Sequence, residues 1–130
     1  MSPGNVLVDS NIVIAHFRQN DPVSQKMAAT PFVFLSSIGL GELYHGAYKS
    51  QNPQKKLEQL VHFLPHVFVL GVDQITSDHY GRIRAALAKA GSLIPENDIW
   101  IAALALQHQL PVVTRDKHFA RVSGLTVLSW

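Results

Sequence analysis

The chain has 130 residues, 47% of them hydrophobic and 15% charged, so we expect one globular domain over residues 1–130 and no second domain. Its formal net charge of +2 is too small to predict nucleic-acid binding by itself. The absence of cysteine excludes disulfide bonds, thiolate metal sites and a thiol nucleophile.

Strand and helix patterns alternate along the chain, with glycine and proline between them. The predicted strands are, in chain order, NVLV (5–8), FVFLSS (32–37), HVFVLGV (66–72), VVT (112–114) and LTVLSW (125–130). The predicted helices are SNIVIAHFR (10–18), IGLGELYHGAYKS (38–50), NPQKKLEQLVHFL (52–64, with Asn52 as N-cap), DQITSDHYGRIRAALAKAG (73–91) and ENDIWIAALALQHQ (96–109). The last helix is almost uniformly apolar and is therefore expected at the centre of the fold. No element is predicted between Arg18 and Phe32.

The alternation predicts an α/β fold, a three-layer α/β/α sandwich with a mainly parallel sheet of four to five strands. Ligands of such folds bind beyond the carboxyl ends of the strands. Asp9 follows the strand VLV, and Asp116 follows VVTR. We therefore expect both carboxylates at the same edge of the sheet, close together if their strands are neighbours.

Four acidic residues lie in apolar surroundings, where a lone buried carboxylate costs roughly several kcal/mol unless a partner compensates it. They are Asp9, Glu42, Asp98 and Asp116. Asp9 and Asp98 stand at the starts of helices and Asp116 stands near a turn, so capping is the alternative role for these three. For Glu42, in the second turn of its helix, the alternative is a salt bridge to Lys49 or Arg18.

Four acids that meet in one place cannot all stay ionised without a counter-charge. Carboxylate oxygens are preferred ligands of Mg²⁺ and Mn²⁺, so either ion can supply that charge. Such an ion lowers the pKa of a bound water and stabilises charge on a leaving oxygen. The acids therefore favour phosphoryl-transfer chemistry with one or two metal ions.

The second predicted helix contains three glycines, and each costs about 1 kcal/mol of helix stability relative to alanine. They are Gly39, Gly41 and Gly46. Tertiary packing must offset that cost, and we interpret the glycines as points of close backbone approach. The alternative is that this segment is not helical.

Four segments resemble, in order and spacing, the PIN-domain ribonucleases, and most closely the VapC toxins of bacterial toxin–antitoxin pairs. The segments are VLVDSN, SSIGLGELYHGA, PENDIWIAALAL and LPVVTRDKHFARVSGLTVLSW. The resemblance implies a Mg²⁺- or Mn²⁺-dependent endoribonuclease that cuts structured RNA, commonly a tRNA or ribosomal RNA. It also implies inhibition by a cognate VapB-type antitoxin, and a homodimer whose acidic pockets lie along a basic RNA-binding groove.

The same resemblance assigns roles to particular residues. It makes Asp9, Glu42, Asp98 and Asp116 the catalytic, metal-binding acids, and Asn11, Ser37 and Thr114 polar residues that support them. The chain departs from the family at Ser10, where threonine is more frequent. The position of Asp116 varies in the family and is often asparagine.

Basic residues cluster in TRDKHFAR and in HYGRIRAALAKAG. We expect RNA phosphates to be contacted by residues among Arg82, Arg84, Arg115 and Lys117. An ordinary solvated basic surface is the alternative.

Three other functions are compatible with parts of the sequence. A histidine acid/base pair drawn from His16, His45 and His118 would cleave RNA without metal, using the 2′-hydroxyl as nucleophile. A phospho-accepting receiver domain has a similar length and strand-end acids, but it needs an adjacent acidic pair where this chain has Asp9 and Ser10. A non-catalytic RNA- or partner-binding module on the same fold is the third alternative.

The N-terminal residues MSPGNVLVDS have no basic region before their apolar run, which argues against a signal peptide. No segment approaches the roughly 18 consecutive apolar residues of a membrane span. We therefore expect a cytoplasmic protein without a membrane partner.

Overall fold

The computed structural model of the chain describes residues 4–130. In this part of the chain the strands are β1 (Val6–Val8), β2 (Val33–Ser36), β3 (Phe68–Leu70), β4 (Val112–Val113) and β5 (Val127–Leu128). The helices of the same residues are α1 (Ser10–Phe17), α2 (Asp21–Ala29), α3 (Ser37–Tyr48), α4 (Pro53–Phe63), α5 (Gln74–Lys89) and α6 (Glu96–His108). Short 3₁₀ turns span Leu64–His66 and Lys117–Arg121. None of the helices formed by residues 4–130 is long and apolar enough to cross a membrane.

The five strands form one parallel sheet in the order β3-β2-β1-β4-β5. The predicted α/β/α fold with a parallel sheet is thus confirmed. Val8 of β1 is in register with Val113 of β4, so Asp9 and Thr114 leave neighbouring strands at the same edge. The strand order reverses between β1 and β4, which is the point where open α/β sheets bind ligands. The order also differs from the 2-1-3-4-5 order of receiver domains.

The three central strands, β2, β1 and β4, are mostly buried, as expected for parallel strands covered by helices on both faces. Val6, Val8 and Leu35 point to the layer of α1–α4, whereas Leu7 and Val112 point to the layer of α5 and α6. Helix α6 has a buried core along most of its length, from Asp98 through Ala105 with one partly exposed residue. The predicted central position of this helix is confirmed.

Helix α2 is the element that the sequence patterns missed. Its start carries recognisable signals, since the Asn20 side chain accepts a hydrogen bond from the backbone N–H of Val23 at 3.2 Å and Pro22 lies in the first turn. Only Val23 of this helix is buried. The apolar periodicity is therefore too weak to reveal the helix, although its capping residues could have done so.

The α3 helix exists as predicted, but its glycines have different surroundings. A Cβ at Gly39 would lie 3.2 Å from two side-chain atoms, Leu35 Cδ1 and Ser36 Oγ, so this glycine is closely packed against side chains. A Cβ at Gly41 or Gly46 would meet nothing within 4 Å. Close backbone approach is therefore the wrong explanation for these two glycines.

We predict that Gly41→Ala raises the free energy of unfolding by about 1 kcal/mol, because alanine gains helix propensity in open space. Gly39→Ala should gain less or lose stability, since the crowded Ser36 hydroxyl accepts the N-cap hydrogen bond from the Gly39 N–H at 2.8 Å. Urea unfolding monitored by circular dichroism measures both variants. Equal gains at the two positions would contradict this account of α3.

Candidate metal centre

Asp9 connects the end of β1 to the start of α1 and the end of β4. Its Oδ1 accepts a hydrogen bond from the Ser10 N–H at 2.8 Å, and Asp9 is the N-cap residue of α1. Its Oδ2 accepts a hydrogen bond from the Thr114 hydroxyl at 2.8 Å. Asp9 is only 3% exposed. Asp9 therefore caps α1, and the same carboxylate also accepts the buried hydrogen bond from Thr114 at the end of the neighbouring strand.

The segment after β4 is fixed by polar contacts to the same corner. Thr114 Oγ1 accepts a hydrogen bond from the Asp116 N–H at 3.0 Å, and Asn11 Oδ1 accepts one from the Arg115 N–H at 3.4 Å. Thr114 and Asn11, both predicted as supporting residues, thus hold the backbone that carries Asp116.

Asp98 lies in the first turn of α6, where Pro95 is the N-cap residue and no side chain caps the helix. The expectation that Asp98 caps the helix is therefore wrong, although a carboxylate in the first turn still interacts favourably with the helix dipole. Its Oδ2 lies 2.5 Å from His118 Nε2. The buried face of α6 directs this carboxylate toward the end of the sheet.

Asp116 precedes the 3₁₀ turn Lys117–Arg121 without a capping hydrogen bond from its side chain, so the capping role is wrong here too. Phe119, which is fully buried, anchors this turn. One ligand atom each from Asp98, Asp116 and His118 lies within 4.8 Å of the other two. Two carboxylates and an imidazole therefore converge on one point.

Glu42 lies in the second turn of α3 and is partly buried. The Ser10 hydroxyl donates a hydrogen bond to its Oε1 at 3.3 Å. Within residues 4–130, Glu42 forms no salt bridge with Lys49 or Arg18, so that alternative is wrong. Ser37, the first residue of α3, is exposed, and the hydroxyl that supports Glu42 belongs to Ser10 instead.

Burial raises the pKa of Asp9 from its ordinary value of 3.8 to about 6. The hydrogen bonds from Thr114 and Ser10 lower that pKa, while the negative charges of Asp98 and Glu42 raise it further. This carboxylate is thus held in a place where its ionised form is disfavoured without a cation.

The other acids of the cluster show the same mutual repulsion. Burial raises the pKa of Glu42. Hydrogen bonds from the Asn97 and Ser10 side chains lower this pKa, and the negative charges of Asp98 and Asp116 raise it further. Burial likewise raises the pKa of Asp98. The hydrogen bond and charge of His118 lower this pKa, and the negative charge of Asp116 raises it further. The structure therefore brings Asp9, Glu42, Asp98 and Asp116 into one electrostatically coupled cluster.

This donor set fits a divalent cation. Among residues 4–130, no lysine or arginine forms a salt bridge with any of the four acids. Carboxylate oxygens are the normal ligands of Mg²⁺ and Mn²⁺, and imidazole nitrogen is a normal ligand of transition-metal ions. Asp98, Asp116 and His118 present the converging ligand atoms, and Asp9 and Glu42 add negative charge beside them.

Sequence reasoning missed three residues of this site: Ser10 and Asn97 as partners of Glu42, and His118 as a neighbour of Asp98. The sequence predicted His118 only as a candidate member of a histidine acid/base pair. The structure separates the members of that pair, because His16 Nδ1 contacts Ser24 Oγ at 2.8 Å outside the acid cluster and His45 is exposed on α3. No sequence signal short of the contact itself places His118 against Asp98.

The four predicted RNA-contacting residues fall into two pairs. Arg115 and Lys117 are exposed and flank Asp116 in sequence. Arg82 forms a salt bridge with Asp78, and Arg84 forms one with Glu96, each at 3.0 Å. Only the first pair lies next to the acid cluster along the chain.

A groove of about 430 Å³ lies between α1, α3 and α4. Its apolar walls are Ile14, Phe17, Leu43, Ala47 and Leu60. Glu42 also lines it, together with the cationic residues Arg18, Lys49 and Lys56. Gly46, which has no neighbour within 4 Å of a would-be Cβ, keeps this space open. The groove therefore combines apolar walls, a basic rim and one acid of the cluster.

Comparison with known proteins finds one matching family and several similar proteins. The PIN domain family matches this chain over residues 6–125. The ribonuclease VapC2 of Haemophilus influenzae is 35% identical over 127 residues, which cover 95% of this chain and 96% of that protein. The tRNA(fMet)-specific endonuclease VapC of Shigella flexneri is 38% identical over 97 residues, 74% of each chain. The DNA-bound VapBC structure from Salmonella typhimurium is similar with a TM-score of 0.91 and 30% identity, covering 97% of this chain and 98% of that chain.

We predict that Asp9→Asn stabilises the metal-free protein at pH 7.5 by about 1–3 kcal/mol. The raised pKa of Asp9 means that the folded state binds more protons than the unfolded state between about pH 4 and 6, so wild-type stability falls as pH rises through that range. Asparagine removes the buried charge and remains a good N-cap residue.

Urea unfolding in EDTA at pH 7.5 and pH 4.5 measures this effect, with the exposed Asp78→Asn as the matched control. The advantage of Asp9→Asn should disappear at pH 4.5, where wild-type Asp9 is already protonated. A variant less stable than the wild type at both pH values would contradict the electrostatic account of Asp9.

Proposed function

The chain belongs to the PIN domain family, among its VapC ribonucleases, and on that premise we propose that the acid cluster is the metal centre of an endoribonuclease toxin. The observation that carries the proposal is the convergence of Asp9, Glu42, Asp98 and Asp116 beyond strands β1 and β4, with no lysine or arginine of residues 4–130 paired to them. The proposed cofactor is Mg²⁺ or Mn²⁺.

A divalent ion held in this cluster would lower the pKa of an attacking water and would neutralise charge on the scissile phosphate. Asp98 and Asp116 would hold it, and Asp9 and Glu42 would complete the negative environment. Thr114 and the Ser10 N–H fix both oxygens of Asp9, so this carboxylate needs no reorganisation when substrate binds. The Ser10 hydroxyl restrains Glu42 in the same way.

The proposed substrate is structured RNA of the tRNA or ribosomal RNA class. The Shigella flexneri relative is named for action on tRNA(fMet), and its similarity covers three quarters of this chain. Arg115 and Lys117 are exposed on the segment that carries Asp116, so they can contact phosphates next to the cleaved bond. Arg82 and Arg84 are weaker candidates because both already form salt bridges.

We propose a VapB-type antitoxin as the protein partner and the groove between α1, α3 and α4 as its docking site. The structural neighbours include VapBC structures from Rickettsia felis, Salmonella typhimurium and Haemophilus influenzae. The apolar walls suit one face of a helix, and the basic rim of Arg18, Lys49 and Lys56 suits acidic residues on that helix. A cation on the same segment would pair with Glu42 and so compete for the metal centre.

The homodimer and the cytoplasmic location stay predictions. The cytoplasm is the compartment where both an RNA substrate and a freshly made antitoxin are present. A non-catalytic binding module on this fold is the competing proposal, since a fold does not guarantee activity. That module would bind RNA equally well after loss of the acids and would never cleave it.

We predict that the purified chain cuts cellular RNA into discrete fragments in Mg²⁺ or Mn²⁺ and not in EDTA. Asp9→Asn and Asp98→Asn should each reduce the rate at least about 100-fold, because each removes a charge from the metal centre. The exposed Glu58→Gln is the control and should match the wild type. Cleavage that persists in EDTA and in both variants would contradict the proposal.

We predict that the double variant Arg115→Ala, Lys117→Ala binds RNA more weakly than the wild type. Because each substitution removes one phosphate contact, the slope of the logarithm of the binding constant against the logarithm of salt concentration should become shallower by about 1–2. Filter binding in EDTA measures affinity without cleavage. Arg82→Ala, whose charge already pairs with Asp78, serves as the comparison variant. An unchanged slope in the double variant would assign RNA binding to another surface.

We predict that the protein encoded beside this chain in its operon co-purifies with it and that Gly46→Phe reduces this retention at least tenfold by filling the groove. Gly41→Phe is the matched control, because Gly41 lies on the same helix in open space and does not line the groove. Thermal unfolding checks that both variants fold. Retention that is unaffected by Gly46→Phe would place the antitoxin elsewhere.

A further inference from the structure

His118 brings an imidazole ring to the carboxylates of the metal centre. Its Nε2 lies 2.5 Å from Asp98 Oδ2, and a ligand atom of its ring lies within 4.8 Å of ligand atoms of both Asp98 and Asp116. The His118 side chain is 25% exposed, and its Nε2 faces the Asp98 carboxylate.

The backbone holds this ring in place from both sides. On one side, Thr114 accepts the hydrogen bond of the Asp116 N–H and fixes the start of the turn. On the other side, the fully buried Phe119 anchors the turn in the core, with its ring centroid 5.2 Å from that of His118. The segment that positions Asp116 therefore positions His118 as well.

We propose that His118 is a nitrogen ligand of the metal and that the site consequently prefers Mn²⁺, as a first-row transition-metal ion, to Mg²⁺. This inference rests on the proposed function of the cluster as a metal centre. Carboxylate oxygens suit Mg²⁺ and Mn²⁺ alike, whereas an imidazole nitrogen is a ligand typical of transition-metal ions and is not among the oxygen ligands that Mg²⁺ takes. The His118 nitrogen would thus give an otherwise all-oxygen site a preference for Mn²⁺ over Mg²⁺.

A different role for His118 makes a different prediction. If the ring only donates a hydrogen bond that orients Asp98, its loss disturbs a carboxylate that both ions share. Mg²⁺ and Mn²⁺ affinities would then fall by the same factor. A nitrogen ligand instead produces a loss confined to Mn²⁺ and a magnetic coupling between the nitrogen nucleus and the bound ion.

The test uses electron spin-echo spectroscopy of the wild-type protein with one equivalent of Mn²⁺, which detects ¹⁴N nuclei bound to the ion. We expect a ¹⁴N signal from the wild type and from His108→Gln, a control at an exposed histidine on α6, and none from His118→Gln. Calorimetric titration should show a Mn²⁺ affinity lowered roughly 10- to 100-fold by His118→Gln, with Mg²⁺ affinity changed less than about threefold.

Wild-type protein that binds Mn²⁺ without a ¹⁴N signal overturns the inference, as does an equal loss of both affinities in His118→Gln. The wild-type spectrum decides the question even if His118→Gln fails to fold. Failure of the proposed function is a separate result, because it requires that the wild type bind neither ion or cleave RNA in EDTA.

Discussion

The structure depends on the burial of the Asp9 carboxylate at the end of β1. This residue is 3% exposed, its two oxygens are fixed by Ser10 and Thr114, and its pKa is raised to about 6. Hydrogen bonds from a backbone N–H and a hydroxyl offset part of the desolvation and leave the charge unbalanced. The fold tolerates this imbalance because other groups, directed to the same place, allow a cation to balance it.

The sheet order explains how distant parts of the chain reach that place. β1 and β4 are neighbours at the reversal of strand order, so Asp9 and the segment carrying Asp116 start from adjacent strand ends. Helix α6 brings Asp98 from the layer on one face of the sheet, and α3 brings Glu42, held by the Ser10 hydroxyl. Of the four acids, only Asp9 caps a helix with its side chain, and the meeting of all four indicates metal chemistry.

The sequence was informative where a local pattern determines the structure. Alternating apolar strands and helices predicted the parallel α/β sandwich, and the acids in apolar surroundings predicted which side chains meet. The predictions failed where the decisive contact is distant in sequence. The position of Asp98 inside the first turn, the Ser10–Glu42 contact and the approach of His118 to Asp98 all depend on packing between elements. Helix α2 was missed because a single buried residue gives no periodicity.

The most direct test of the central claim is X-ray diffraction at the manganese absorption edge from crystals of the wild-type protein grown with Mn²⁺. We expect an anomalous-scattering peak among Asp98, Asp116 and His118, beside the buried carboxylate of Asp9. An ordered acid cluster with no such peak, or manganese bound only at a distant surface, would contradict the account of why this chain buries Asp9.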